Sequence, residues 1–255
     1  MKKDRTKQYL KLLSWLILAA ILVLWQVASE RRWINPTVMS QPVKIWTKFL
    51  QMAEDGSLFR HILASLVRVL KGFVYGAGAG LILGFFMGLN QKFETVVDLF
   101  VGILRPIPPI AWIPLLILAF GIGEESKVTV IAIGSFWPML LDTIHGVKST
   151  DRQLLELGKT LEKSRRTVIF KLILPSAVPA IFTGVRQAVS RAWSCVVTAE
   201  MIAASTGVGF LIQYARELSQ PALMFVGVFT IGGVGVLIDW LMLLLEKKLL
   251  YWNEK

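Results

Sequence analysis

DRQLLELGKTLEKSRRTVIFKLILPSAVP, running from Asp151 to Pro179, is a charged island in a chain that is otherwise mostly hydrocarbon. Leu154, Leu155, Leu157, Leu161, Val168, Ile169 and Leu172 recur at helical spacing, so one face is apolar and the other charged. Lys148, Arg152, Lys159, Lys163, Arg165, Arg166 and Lys171 make the stretch basic. Residue chemistry alone leaves two readings. The stretch is a cytoplasmic loop made basic by the positive-inside bias, or it is an amphipathic segment that docks a partner.

The composition around it decides the class. Of 255 residues, 55% are hydrophobic and the mean hydropathy is +0.60. That excludes a soluble domain and predicts an all-α polytopic membrane protein. Cys195 is the single cysteine and lies in an apolar run, so no intrachain disulfide forms. His61 and His145 stand far apart in sequence, and neither a metal site nor a catalytic histidine pair is expected. A net charge of +11 would suit a nucleic-acid partner. The basic residues cluster at membrane borders instead, so topology accounts for them and no nucleic acid is expected.

The apolar runs predict about six spans in one domain, 1–255, at about 12–28, 70–89, 96–120, 128–146, 180–204 and 222–245. A cytoplasmic loop falls at about 149–175. The first run follows Lys2, Lys3, Arg5, Lys7 and Lys11; no small-residue cleavage site comes after it, so it is read as a span with its N-terminus inside. Residues 30–68 are expected outside or along the outer interface, with weak helical periodicity from Val43. Gly72, Gly76, Gly80, Gly84 and Gly88 recur every fourth residue, suited to close helix packing or to a pore-lining groove. Arg105-Pro106-Ile107-Pro108-Pro109 interrupts the third run, because proline cannot continue a regular helix. Broken backbone at that depth requires protein or a watery cavity beside it, which makes Arg105, Pro108, Pro109 and Trp112 pathway candidates. A short helix is expected from Phe210 to Leu218 in the last outer loop.

The fifth run is unusually polar, with Arg186, Gln187, Ser190, Arg191, Ser194, Thr198 and Glu200. Arg186, Ser190, Trp193 and Val197 share a helical stripe. Arg191 lies about 140° from Arg186 and is expected to point elsewhere. A mid-span arginine costs about 2.5–3.5 kcal/mol or more, so it needs an anion, an acid or water. Either one arginine serves an anionic solute while the other pairs with Asp142 or Asp239, or both are structural. Arg186, Ser190, Arg191, Trp193 and Ser194 complete the pathway candidates. Six spans put both termini and the basic stretch inside, where Lys and Arg are the more numerous.

The basic stretch carries a resemblance. Glu156, with Leu172-Ile173-Leu174-Pro175 after it at the right spacing, resembles the loop signature of permease subunits of ATP-driven, binding-protein-dependent importers. That signature reads Glu-Ala-Ala, three residues, Gly, nine residues, Ile, any residue, Leu-Pro. Leu157 and Gly158 replace the two alanines, and Glu162 stands where the family has glycine at a turn between two short helices. Ser65 to Phe73, Leu104 to Leu115, Phe120 to Lys127 and Thr198 to Ile202 are similar to the taurine, aliphatic-sulfonate and nitrate branch.

The resemblance implies a type I importer permease fold and a machine of two permease chains. It also implies two cytoplasmic ATPase subunits, which bind ATP and Mg, and an extracytoplasmic solute-binding protein. The basic stretch becomes the coupling helix, with Glu156, Leu157, Gly158, Leu161, Glu162 and Pro175 as its coupling residues. The implied cargo is taurine or a related sulfonate; nitrate, bicarbonate, an aromatic acid or a vitamin precursor are alternatives within the class. No Gly-x-x-x-x-Gly-Lys-Ser/Thr loop occurs, so ATP chemistry is expected in a partner and not here. A secondary transporter would show internal repeats, and an intramembrane enzyme needs a nucleophile with a base in reach; Ser190, Ser194, Asp142 and Asp239 form no such motif.

Overall fold

The computed structural model describes residues 2–35 and 38–251. The described residues form α1 Lys2–Glu30, α2 Pro42–Glu54, α3 Ser57–Leu89, α4 Gln91–Leu104 and α5 Ile113–Phe120. They continue with α6 Glu124–Lys148, α7 Arg152–Thr160, α8 Arg165–Val168, α9 Leu174–Ala203, α10 Val208–Glu217 and α11 Pro221–Leu249. Five helical stretches are long and apolar enough to cross a membrane, and α4 with the Pro109–Phe120 segment makes a sixth, bent by 85°.

α3 begins well before residue 70. At 33 residues it is roughly 50 Å long, more than a hydrocarbon core requires, so its first turns stand in the interface. Hydropathy stops at Lys71 and Arg68 because they are charged, yet Arg68 and Ser65 are buried within the helix bundle. α2 accounts for the periodicity from Val43, and Gly56, in the left-handed region at φ 72°, turns the chain from α2 into α3.

The glycine ladder is a packing seam. A Cβ on Gly72 would lie 2.5 Å from Ile131 Cγ2; on Gly80, 2.6 Å from the Phe136 carbonyl; on Gly84, 2.7 Å from the Leu140 carbonyl; on Gly88, 2.7 Å from Val147 Cβ. On Gly76 it would strike the Ala132 carbonyl. All five therefore face α6. The other side of α6 meets α9 through small residues too: Gly146 lies against Ala177 and Ala180, and Gly184 of α9 against Asp142. With no hydrophobic drive between helices in lipid, this close approach is what holds α3, α6 and α9 together.

The broken third span bends where the prolines stand. α4 is capped by Asn90, whose side chain accepts from the Lys92 and Phe93 amides. Arg105 ends the helix, and Pro108 leads into a single 3-10 turn, Pro109–Trp112. Val96, Leu99, Phe100, Ile103 and Leu118 are exposed, as lipid-facing side chains are.

α9 also starts earlier than the apolar run at 180. Leu174-Pro175 opens it, with Pro175 in the first turn, where a missing N–H costs no intrahelical bond. A π-turn over Ile169–Ile173 joins α8 to α9 and widens the backbone ahead of the two prolines. Residues 174 and 175, assigned from sequence to the loop, thus belong to the span.

Candidate functional site

Three groupings of polar or docking residues stand out. The first is the α7–α8 hairpin. Asp151 caps α7 by accepting from the Gln153 amide, and Ser164 caps α8 by accepting from the Thr167 amide. Between them the chain reverses at Glu162, at φ 51°. Lys163 N donates to the Gly158 carbonyl (3.0 Å) and Glu162 N to the Lys159 carbonyl (2.9 Å), the pair of bonds that closes a helix through a left-handed residue. A non-glycine residue there costs about 1–2 kcal/mol, so glutamate keeps the sharp turn at the expense of some strain.

Gly158 is buried, and a Cβ on it would lie 3.3 Å from Val168 Cγ2 and 3.4 Å from Leu172 Cδ1, so a small residue lets α7 lie flat on α8 and the π-turn. Leu155 packs on Val147, Ile173 and Ala177. The opposite stripe is bare: Leu154, Leu157 and Leu161 are exposed, the last two by 54% and 56%, with exposed Glu156 beside them. Among the described residues Glu156 forms no ion pair with Lys159 or Lys163. The hairpin is therefore braced on one side and offers three leucines and a carboxylate on the other.

The second grouping is a polar cleft of about 420 Å³ lined by Thr183, Arg186, Gln187, Ser190, Arg191, Ser194 and Asp239. Both arginines line it. This corrects the expectation that Arg191 points elsewhere: the face is about 140° wide, and Ser190 and Ser194 sit between the two long side chains. Arg186 Nε and Nη2 each lie 3.0 Å from Asp239 Oδ1, and Nη1 lies 3.5 Å from Glu246 Oε2. Asp142 is not an arginine partner; its Oδ2 accepts from Gln187 Nε2 at 2.9 Å. Among the described residues no carboxylate pairs with Arg191. Ser194 Oγ donates to the Ser190 carbonyl, turning its lone pairs to the cleft.

Trp193 does not line this cleft. Its ring is buried against Val69, Ile131 and Val196, and Nε1 donates to the Ile231 carbonyl at 3.1 Å. It walls a smaller hollow of about 140 Å³ that it shares with Arg186 and Asp239. Arg105, Pro108, Pro109 and Trp112 do not reach the cleft either; Arg105 and Pro108 are exposed at the bend, and Pro109 and Trp112 half-buried.

The third grouping was not foreseen. Arg68 and Glu200, buried to 5% and 1% exposure, meet at 2.8 Å. Arg68 also grips Glu124 through Nε (2.7 Å) and Nη2 (2.8 Å), and donates to the Thr206 carbonyl and hydroxyl. Lys127 pairs with Glu124 at 2.8 Å. The Glu200 carboxylate accepts from Ser65 Oγ and, at 2.9 Å, from the Gly209 amide; Val208 N donates to Ser65 Oγ. Gly207, at φ 116°, passes so close to that carboxylate that a side chain would overlap it. The cluster binds α3, α6, α9 and the start of α10 into one unit. Its charged members and Ser65 come from Ser65–Phe73, Phe120–Lys127 and Thr198–Ile202, segments that carried the family resemblance, and that coincidence was the available signal.

A family model described as binding-protein-dependent transport system inner membrane component matches residues 76–251. The chain is 38% identical over 253 residues to a protein of Bacillus subtilis (strain 168) named as an aliphatic sulfonates transport permease, SsuC; the match covers 99% of this chain and 92% of that one. It is 32% identical over 241 residues to the taurine transport system permease protein TauC of Escherichia coli (strain K12), covering 92% and 88%. Among solved structures, a chain of an amino acid ABC transporter crystallised with histidines superposes with a TM-score of 0.63 at 16% identity, over 78% of this chain and 98% of that chain. The chain belongs to the binding-protein-dependent transport system inner membrane components, as a multi-pass permease subunit and not an ATPase.

Proposed function

We propose that this chain forms the transmembrane pathway of an ATP-driven importer for a small sulfonate, taurine among them. The observation that carries the reading is Arg191, a guanidinium without a carboxylate partner in a polar cleft between α9 and α11. A fixed cation at membrane depth is costly unless an anion visits it, and a sulfonate presents three acceptor oxygens to it. The names of the relatives support that head group. Arg186, held by Asp239, positions the cleft wall. Two copies related by a two-fold axis would face their clefts to one another and enclose the path.

In this reading both termini and the α7–α8 hairpin are cytoplasmic, and each hairpin seats Leu154, Leu157 and Leu161 in a groove of an ATPase subunit that holds ATP and Mg. Closure of the ATPase pair then rocks the α3–α6–α9 unit as a rigid body, and a solute-binding protein delivers cargo at the opposite face.

Two measurements test it. In proteoliposomes with the ATPase and binding protein, Arg191→Gln should keep basal ATP hydrolysis and lower sulfonate uptake at least about tenfold, the loss of one charge-assisted contact; Arg191→Lys should recover part of it. Arg186→Gln should first lower thermal stability, with Asp239→Asn restoring it. Normal uptake by folded Arg191→Gln removes the anion role. Separately, Leu161→Asp should leave the permease inserted and abolish ATPase capture, and an unchanged pull-down rejects the docking surface.

A further inference from the structure

A cavity of about 490 Å³ lies between α1, α2, α3 and α11 and shares no lining residue with the polar cleft. Leu22, Trp25, Phe49, Ile62, Phe229 and Val234 are among its walls. Its one polar aliphatic side chain, Thr230, donates its hydroxyl to the Val226 carbonyl at 2.7 Å and offers the cavity little. The mouth is open to the membrane, because Leu22, Trp46 and Phe229 on its rim are 45%, 60% and 53% exposed. Gln26 Oε1 accepts from the Val43 amide and ties α1 to α2 at the top of the hollow.

Depth fixes what can enter. On α1 the lining residues stand five to eight positions below the helix end at Glu30, and on α11 they stand five to thirteen positions below its start at Pro221. At 1.5 Å per residue that band runs from roughly 7 to 20 Å below the helix ends, and since each 29-residue helix is roughly 43 Å long and overhangs a hydrocarbon core about 30 Å thick by about 7 Å at each end, the band falls within one leaflet. The occupant is therefore taken from the bilayer. At the upper edge of the band stands Trp25, whose ring is part of the cavity wall, and a tryptophan at that level marks the border between acyl chains and head groups.

The charge around the site selects the head group. The face of α2 opposite the cavity carries Lys44 and Lys48, one turn apart, which line a polar cleft of about 310 Å³ with Ser40 and Gln220. Arg31 and Arg32 come directly after the end of α1 and are exposed. Among the described residues none of these four forms an ion pair, and no carboxylate lines either hollow. Arg31 sits over the Trp33 ring, 5.6 Å from its centroid, an aromatic-cation pair of the kind found at head-group level. α2 is thus an interfacial amphipathic helix whose apolar side roofs the cavity and whose basic side meets phosphates.

We propose that this cavity is a structural site for an anionic phospholipid: one acyl chain fills it along the Trp25 ring, and the basic residues of α2 and of the α1 end hold the phosphate. The lipid would brace α1, which meets the rest of the bundle through few residues, against α2 and α11, which pack on each other through Ile45, Met52, Leu223 and Val226.

The test uses full-length protein in nanodiscs of equal phosphatidylcholine and phosphatidylglycerol, released and weighed by native mass spectrometry. Wild-type chain should retain phosphatidylglycerol over phosphatidylcholine, each lysine contributing roughly fivefold to the preference. Lys44→Gln with Lys48→Gln should still retain lipid, with the preference lowered roughly twenty-five-fold. Gly233→Phe should retain neither, since Gly233 lines the cavity and has open space beside it, so the added ring displaces lipid and not protein. Fluorescence gives a second readout: acyl-brominated phosphatidylglycerol should quench wild type more than Trp25→Phe. Equal retention of the two lipids by wild type overturns the head-group assignment. Retention or quenching unchanged in folded Gly233→Phe overturns the site itself.

Discussion

Arg68→Gln is expected to remove most of the correctly folded protein. The substitution leaves Glu200 in a space with 1% exposure and no cation, and leaves Glu124 with Lys127 alone. Removing one partner of a buried pair costs about 3–5 kcal/mol, because the remaining charge stays out of water unpaired. The Ser65 hydroxyl and the Gly209 amide still reach Glu200, but two neutral donors do not offset a lost guanidinium. Glu200→Gln should be milder, since an amide oxygen keeps the bonds from Gly209 and Ser65. The double variant Arg68→Met with Glu200→Met should recover much of the loss, as matched apolar replacement of a buried pair is near neutral. Thermal midpoints in detergent, read by size-exclusion fluorescence, give the order: wild type, then the double variant and Glu200→Gln, then Arg68→Gln lowest. A midpoint for Arg68→Gln equal to wild type would show that the cluster contributes nothing to the fold.

Range along the chain separates the legible features from the hidden ones. Apolar length is local, so most spans, the break at Pro106–Pro109 and the basic hairpin were readable. The start of α3 was not, because Arg68 and Lys71 mimic a membrane border; the carboxylates that explain a buried Arg68, Glu124 and Glu200, lie 56 and 132 positions away. The cleft was half legible. Helical spacing placed Arg186 and Ser190 together and left Ser194 a candidate off the stripe, while an angular argument on Cα positions sent Arg191 away and ignored the reach of its side chain. Trp193 shared the stripe by angle, yet the stripe edge turns into the α9–α11 contact, where a large ring packs. Glu162 shows the converse. It stands where the resemblance has glycine, but the two backbone bonds that close α7 do not depend on the side chain, and the sharp turn forms with glutamate.

Gly76→Leu is expected to prevent assembly of the bundle. A Cβ at Gly76 overlaps the backbone carbonyl of Ala132 and the Ser135 hydroxyl, and a helix backbone does not yield as a side chain does. Even Gly76→Ala must push α3 from α6, an overpacking cost of about 1–3 kcal/mol or more, spread along a seam that includes Gly72, Gly80, Gly84 and Gly88. Gly72→Ala should cost less, because the overlap there is shallower: the added Cβ lies 2.5 Å from Ile131 Cγ2 and 2.6 Å from Ile131 Cβ, with the Val128 carbonyl at 3.0 Å, whereas at Gly76 it runs into a backbone carbonyl. Gly78, two residues on, faces open space, so Gly78→Leu should insert and fold normally. This series separates the two roles open to a glycine stripe. If the stripe lined the solute path, Gly76→Leu would keep the fold and block uptake, and Gly72→Ala and Gly76→Ala would be equally harmless to stability. With the stripe as the α3–α6 seam, folded yield and thermal midpoint fall in the order Gly78→Leu, Gly72→Ala, Gly76→Ala, Gly76→Leu. Uptake per folded molecule stays near wild type for the first two. A stable, monodisperse Gly76→Leu protein would contradict the seam and return the ladder to the pathway.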